Sequence, residues 1–248
     1  MFRESEGGSI VLYHFDPIYF VFILPAFLLS LWASFRTRSA FNKYSQVRTM
    51  RGLTGAQAAK AMLDRAGIYD VQVVPTHGKL TDHYNPANKT LALSEGVYAS
   101  NSVAAVGVAC HEAGHAIQHA EGYKPLWLRS LLVPTANIGS SVGYLVMMLG
   151  LFLVYMRSAM GPQIVLFGAA LFSLVLMFQI VTLPVELDAS ARAKRLVLEN
   201  GIVMAQEREG IDRVLNAAAL TYVAAVISTL TTLLYFLFRS GLLGGRRS

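Results

Sequence analysis

Four runs of apolar residues dominate the chain, at 17–35, 131–155, 164–183 and 217–238, and none of them holds a charged side chain. Each is close to or beyond the roughly 20 residues a helix needs to cross bilayer hydrocarbon. The first run has aromatic residues near both ends and is followed by Arg36 and Arg38, a basic stop. Gly161 and Pro162 predict a tight turn between the second and third runs, which makes those two a helical hairpin. The first run reads as a retained anchor rather than a cleaved signal peptide. Its leading Arg3 is opposed by Glu4, Glu6 and Asp16, and Ser34-Phe35-Arg36 offers no small-residue cleavage site.

The region 36–130 has a different pattern, that of a small α+β unit. Thr54 predicts the cap of a helix running to about Ala66, apolar at Ala58, Ala59, Met62 and Leu63 and stopped at Gly67. Val71 to Val74 predicts a strand ended by Pro75. Asp82 to Asn85, the polar stretch 86–89 and Thr90 to Leu93 predict a hairpin. The 90–94 strand reads equally well as a plain edge strand or as one that binds an extended peptide by strand addition. Asn101 or Ser102 caps a further helix to about Ala120, which Gly122 and Pro125 end. Beyond the third apolar run, a polar helix from Val185 to about Asn200 is predicted to turn away at Pro184.

Composition agrees with a bilayer protein. Hydrophobic residues make up 54% of the 248 and charged residues 15%, against about 25% charged in soluble domains. The net charge of +6 does not indicate nucleic acid, because the basic residues flank apolar runs instead of forming one patch. Segments 36–130 and 186–214 hold 16 of the 21 Lys and Arg residues. The positive-inside rule puts both in the cytoplasm and the segment 1–16 outside, with Arg246 and Arg247 mildly opposing. The single Cys110 rules out an intramolecular disulfide framework and a Cys-rich zinc knuckle.

The candidate chemistry sits on the 103–120 helix, in His111-Glu112-Ala113-Gly114-His115. Histidines four apart share a helix face, so their ring nitrogens can converge on one cation. Glu112 lies beside that cation, where it can take a proton from water. Catalytic zinc takes three protein ligands and keeps one open position. Glu186, at the end of the third apolar run, is the expected third ligand, with Asp188 as the competing ligand or as the acceptor of a histidine N–H. His119 shares roughly the same face but is less well aimed, and a solvated or supporting role is expected for it. His77 and His83 have no partner at ligand spacing, and His14 is expected on the opposite membrane face.

The chain resembles the YugP-like neutral zinc metallopeptidases of bacterial membranes, distant relatives of the HtpX-like and CAAX-prenyl membrane proteases. The resemblance spans nearly the whole chain. It is carried by Phe41-Asn42-Lys43-Tyr44-Ser45, Gly52-Leu53-Thr54-Gly55, Leu80-Thr81-Asp82-His83-Tyr84, His111 to Gln118, Glu121-Gly122-Tyr123, Leu183-Pro184-Val185-Glu186 and Leu215 to Ala225. It implies Glu186 as the third zinc ligand, from a separate helix. Relatives often show Glu-x-x-Ala-Asp there, whereas this chain reads Glu186-Leu187-Asp188-Ala189-Ser190. The task of the missing aspartate then passes to Asp188 or is absent. An acidic residue is the family alternative at 119, which argues against His119 as a ligand.

The expected protein is an α-helical integral membrane protein with four transmembrane helices and a small zincin-like α+β metallopeptidase unit. The expected activity is zinc-dependent endopeptidase action at the cytoplasmic face of a bacterial inner membrane. One Zn2+ per chain is held by His111, His115 and Glu186, with Glu112 as general base. Tyr222, Asn216 and Arg192 are candidates for stabilising the oxyanion. Peptides or membrane-protein segments would be substrates, with the lipid bilayer as surroundings and no nucleic-acid partner. The alternatives are a non-catalytic membrane metal-binding scaffold, an intramembrane protease disfavoured by the charges flanking the motif helix, and a transporter disfavoured by runs that lack charge.

Overall fold

The computed structural model describes residues 16–243. The expectations for the 1–15 segment with His14, and for Arg246 and Arg247, lie outside the described residues. Among the described residues, four helices are long and apolar enough to cross a membrane, and a three-stranded sheet accompanies them.

Helix α1 (Pro17–Tyr44) starts at Asp16, whose carboxylate accepts the Ile18 N–H, with proline in the first turn. It does not stop at Phe35 but continues through the charged stretch to Tyr44. The second apolar run belongs to a longer rod: α5 (Lys124–Ile138), a five-residue π segment (Gly139–Gly143) and α6 (Tyr144–Tyr155). The turn to the next helix falls at 156–160, so Gly161 and Pro162 open that helix instead of forming the turn. The last helix, α8 (Arg208–Arg239), starts nine residues before the fourth apolar run.

Helix α7 (Gly161–Glu199) corrects the expected bend at Pro184. It runs as one helix of 39 residues with Pro184 inside it, about 58 Å at 1.5 Å per residue. A helix packed on several sides can absorb one proline, because its neighbours and side-chain hydroxyls take up the freed backbone groups. Helices α5 and α8 and the motif helix all pack on α7.

α1 lies along α8. The Thr37 hydroxyl donates to Ala217 O, Ser30 and Ser228 hydroxyls meet at 3.0 Å, and Arg239 and Tyr235 both donate to Asp16 at the far end. In the α6–α7 hairpin a Cβ on Gly150 would lie 2.5 Å from Val165 N, so the small residue sets the helix separation.

In the polar unit, α2 (Gly55–Arg65) has the reciprocal Thr54–Gln57 capping box, and Gly67 follows it at φ +73°. The strands are β1 (Gln72–Thr76), β2 (His83–Asn85) and β3 (Thr90–Ser94), in the order β1-β3-β2. β1 runs through Pro75 instead of ending before it, and an edge strand tolerates the missing N–H. β3 pairs parallel with β1 and antiparallel with β2. Both its edges are therefore occupied, which removes the edge-strand and strand-addition readings of 90–94. A single turn, α3 (Glu95–Tyr98), leads to the motif helix α4 (Val103–Ala120). The core joins Met62 and Leu63 of α2, Leu91 and Leu93 of β3, Val106 and Ala113 of α4, Ala193 and Val197 of α7, and Ile211 and Leu215 of α8. The polar continuations of α7 and α8 are thus built into the same core as the 36–130 region.

Candidate metal centre

Helix α4 is placed by its ends. The Ser102 hydroxyl accepts the Ala105 N–H at its start, and Gly122 follows its C-terminus at φ +67°. His111 and His115 stack one turn apart, ring centroids 4.8 Å apart and planes at 82°. α7 crosses α4 at Gly114. A Cβ there would lie 2.8 Å from Ala189 O, so only glycine allows the approach. That crossing brings Glu186, one turn before Ala189, onto both imidazoles.

Glu186 Oε2 lies 3.1 Å from His111 Nε2 and 3.4 Å from His115 Nε2, and the three ligand atoms fall within 4.8 Å of one another. Ligands about 2.1 Å from a tetrahedral zinc stand about 3.4 Å apart, so the donor set and its spacing fit that ion. Glu186 is 2% exposed. Its other oxygen, Oε1, lies 3.4 Å from the Arg129 guanidinium of α5, which compensates a charge that is costly to bury alone. Burial by itself would hold the His115 imidazole neutral. The bond to Glu186, the charges of Glu112 and Glu186, and the bond to Gln118 outweigh it and raise its pKa above the ordinary 6.5.

The far side of each imidazole is also held. His111 Nδ1 meets the Ser190 hydroxyl at 3.1 Å, and His115 Nδ1 meets Gln118 Oε1 at 2.9 Å. The fully buried Gln118 amide donates to Val185 O at 2.9 Å and to Asp188 Oδ2 at 2.7 Å. Arg192 then ties Asp188 to Glu121. With both Nδ1 atoms engaged, both Nε2 atoms are left for a cation.

The centre opens on a cavity of about 290 Å3 lined by His111, Glu112, Glu186, Ser190 and Tyr222, with Thr37 and Phe41 of α1 and Val214 and Ala218 of α8 as its wall. Glu112 is 9% exposed and faces this space. The Tyr222 hydroxyl interacts with the Glu186 carboxylate.

The other anticipated residues lie elsewhere. His119 Nδ1 meets the Tyr84 hydroxyl at 2.8 Å and lines a separate groove with Pro86 and Trp127. Asp188 accepts from Gln118 and Arg192 and touches neither histidine, which removes it as the direct acceptor of a histidine N–H. Arg192 is engaged by two carboxylates. Asn216 accepts from Lys194 and lines a different cleft. Ser190, at the position of the absent aspartate, meets His111 Nδ1. Sequence reasoning missed Gln118, Ser190 and Arg129. Gln118 had a signal, because it lies one helical turn beyond His115. Arg129 had none, because its place depends on how α5 packs against α7.

Comparison with known proteins agrees with this picture. The family model described as "Putative neutral zinc metallopeptidase" matches residues 19–241. "Putative membrane protease YugP" of Bacillus subtilis (strain 168) is 46% identical over 218 residues, covering 88% of this chain and 94% of that protein. No solved structure matches. By the extent of both matches, the chain belongs to this zinc metallopeptidase family.

Proposed function

We propose that the chain is a membrane-integral zinc-dependent endopeptidase, with one zinc held by His111, His115 and Glu186. One observation carries the reading: two imidazole Nε2 atoms converge on one carboxylate oxygen, and the carboxylate of Glu112 faces the same cavity. A bound zinc would supply a water acidic enough to attack near neutral pH and a Lewis acid for the scissile carbonyl. Glu112 takes the proton from that water and passes it to the leaving amine. The Tyr222 hydroxyl, in the same cavity, donates to the oxygen on which negative charge builds. Ser190 and Gln118 hold the imidazoles in the tautomer that presents Nε2. Arg129 fixes the rotation of Glu186. Arg192 and Asn216 have no part in the chemistry.

The four long apolar helices cross the bacterial cytoplasmic membrane, with the site on the cytoplasmic side. The support is the charge distribution, 16 of 21 Lys and Arg in 36–130 and 186–214. The cavity wall comes from α1 and α8 where their apolar runs begin or end, which suits peptide segments of membrane proteins as substrates. A non-catalytic metal-binding scaffold would use the same ligands but has no need of Glu112. The test is therefore Glu112→Gln in detergent-purified protein, read by zinc content and by hydrolysis of an unfolded protein substrate. Retained zinc with hydrolysis lowered by about 10²-fold or more supports the reading. Unchanged hydrolysis refutes it.

A further inference from the structure

A second cleft lies on the other side of the α1–α8 pair. It has a volume of about 520 Å3, and Arg36, Lys43 and Arg213 line it together with Asn216, Phe35 and Leu220. No carboxylate is among its lining residues. The lining changes character along its length. Phe35 and Leu220 belong to the apolar runs, while Arg36, Lys43, Arg213 and Asn216 belong to the polar continuations. The cleft thus straddles the level at which both runs meet the polar unit.

Two of its three cations, Arg36 and Lys43, are held in place rather than neutralised. Arg36 lies over the Trp32 ring, 5.3 Å from its centroid, and Lys43 over Tyr44 at 5.4 Å. Among the described residues neither forms an ion pair with a carboxylate. Arg213 is paired with Glu209 at 2.8 Å. Lys194 donates to Asn216 Oδ1, which adds a fourth cation behind the cleft and leaves the Asn216 NH2 as a donor. An apolar floor under a set of cationic and amide donors matches an amphiphile with an anionic phosphate head.

We propose that this cleft binds the headgroup of an acidic phospholipid, with the phosphodiester among Arg36, Lys43 and Arg213 and the acyl chains against Phe35 and Leu220. It rests on the reading that the apolar runs cross a bilayer. The opposite faces of the same two helices line the catalytic cavity through Thr37, Phe41, Val214 and Ala218. A seated headgroup therefore bridges the helix pair that forms one wall of that cavity.

Trp32 and Trp127 are the two tryptophans, so Trp127→Phe leaves Trp32, under Arg36, as the only fluorophore of its kind. The full chain carrying that change is reconstituted in phosphatidylcholine with a minor share of phosphatidylglycerol, one lipid at a time bearing brominated chains. Quenching by brominated phosphatidylcholine alone reports whether Trp32 is in the bilayer, and its absence sinks the spanning reading. Quenching by brominated phosphatidylglycerol beyond its share of the mixture is the expected result for the cleft. Arg36→Gln, Lys43→Gln and Arg213→Gln should each lower that preference about five-fold. Arg38→Gln, which removes an exposed cation from the same helix outside the cleft, should leave it unchanged. An equal fall in Arg38→Gln reduces the effect to general surface charge and overturns the proposal. So does proportionate quenching by the two lipids, or loss of the preference when inorganic phosphate is added.

Discussion

Replacing Gln118 by methionine tests whether the buried amide orients His115. The two side chains are similar in length, so the change mainly removes polar atoms. The His115 Nδ1–H loses its acceptor at 2.9 Å, and the donors to Val185 O and Asp188 Oδ2 disappear. Asp188 keeps Arg192, so the chief orphan is the imidazole N–H, in a residue 5% exposed. A donor left unmade there costs about 1–3 kcal/mol of folding stability. Loss of an orienting partner weakens zinc binding by about 10–100-fold, or about 1.4–2.8 kcal/mol. Gln118→Glu separates the two effects. It restores an acceptor for the histidine, so zinc affinity stays near wild type. It also sets a second carboxylate 2.7 Å from Asp188 Oδ2, so stability still falls. The assay is competition for zinc with a chromophoric chelator in detergent, run beside thermal unfolding. Wild-type zinc affinity in Gln118→Met would refute the orienting role, and equal zinc loss in both variants would show that packing, not the acceptor, sets the affinity.

Glu186→Ala should lose stoichiometric zinc on elemental analysis while remaining folded, because it removes a carboxylate that meets both imidazoles; full retention would move the third ligand elsewhere. Gly114→Val should cost about 1–3 kcal/mol and lower zinc content together, since a Cβ 2.8 Å from Ala189 O must push α7 and Glu186 away from the histidines. In chelator-treated protein, the raised pKa of His115 gives stability that is full below about pH 6.5 and is lost as pH rises through the folded-state value. With zinc present the trend should reverse over the same interval, because protons compete with the metal for Nε2; melting curves with the same slope in both conditions would contradict this.

The motif was legible because helical spacing is a local property. His111 and His115 share a face of α4 whatever surrounds them, and the glutamate between them follows. The apolar runs, the Thr54 cap and the 83–94 hairpin were legible for the same reason: each depends on residues close in the chain. Reading failed where a neighbour distant in sequence decided the outcome. Pro184 carries a local signal to break the helix, but packing by α4, α5 and α8 keeps α7 continuous. Thr90 to Ser94 allowed an edge-strand reading, yet β1 joins on its open side.

The chain itself determined the number of apolar helices, the placing of two histidines and a glutamate on one helix, and the donor chemistry suited to zinc. These follow from hydropathy and the 3.6-residue repeat, which act over a few turns. Only the tertiary structure decided that Glu186 Oε2 is the oxygen both imidazoles meet, that Ser190 and Gln118 hold their far sides, and that Arg129 steadies the carboxylate. Those contacts depend on α4 and α7 crossing at Gly114, a separation set by backbone atoms 75 residues apart, and local pattern does not encode a distance of that kind.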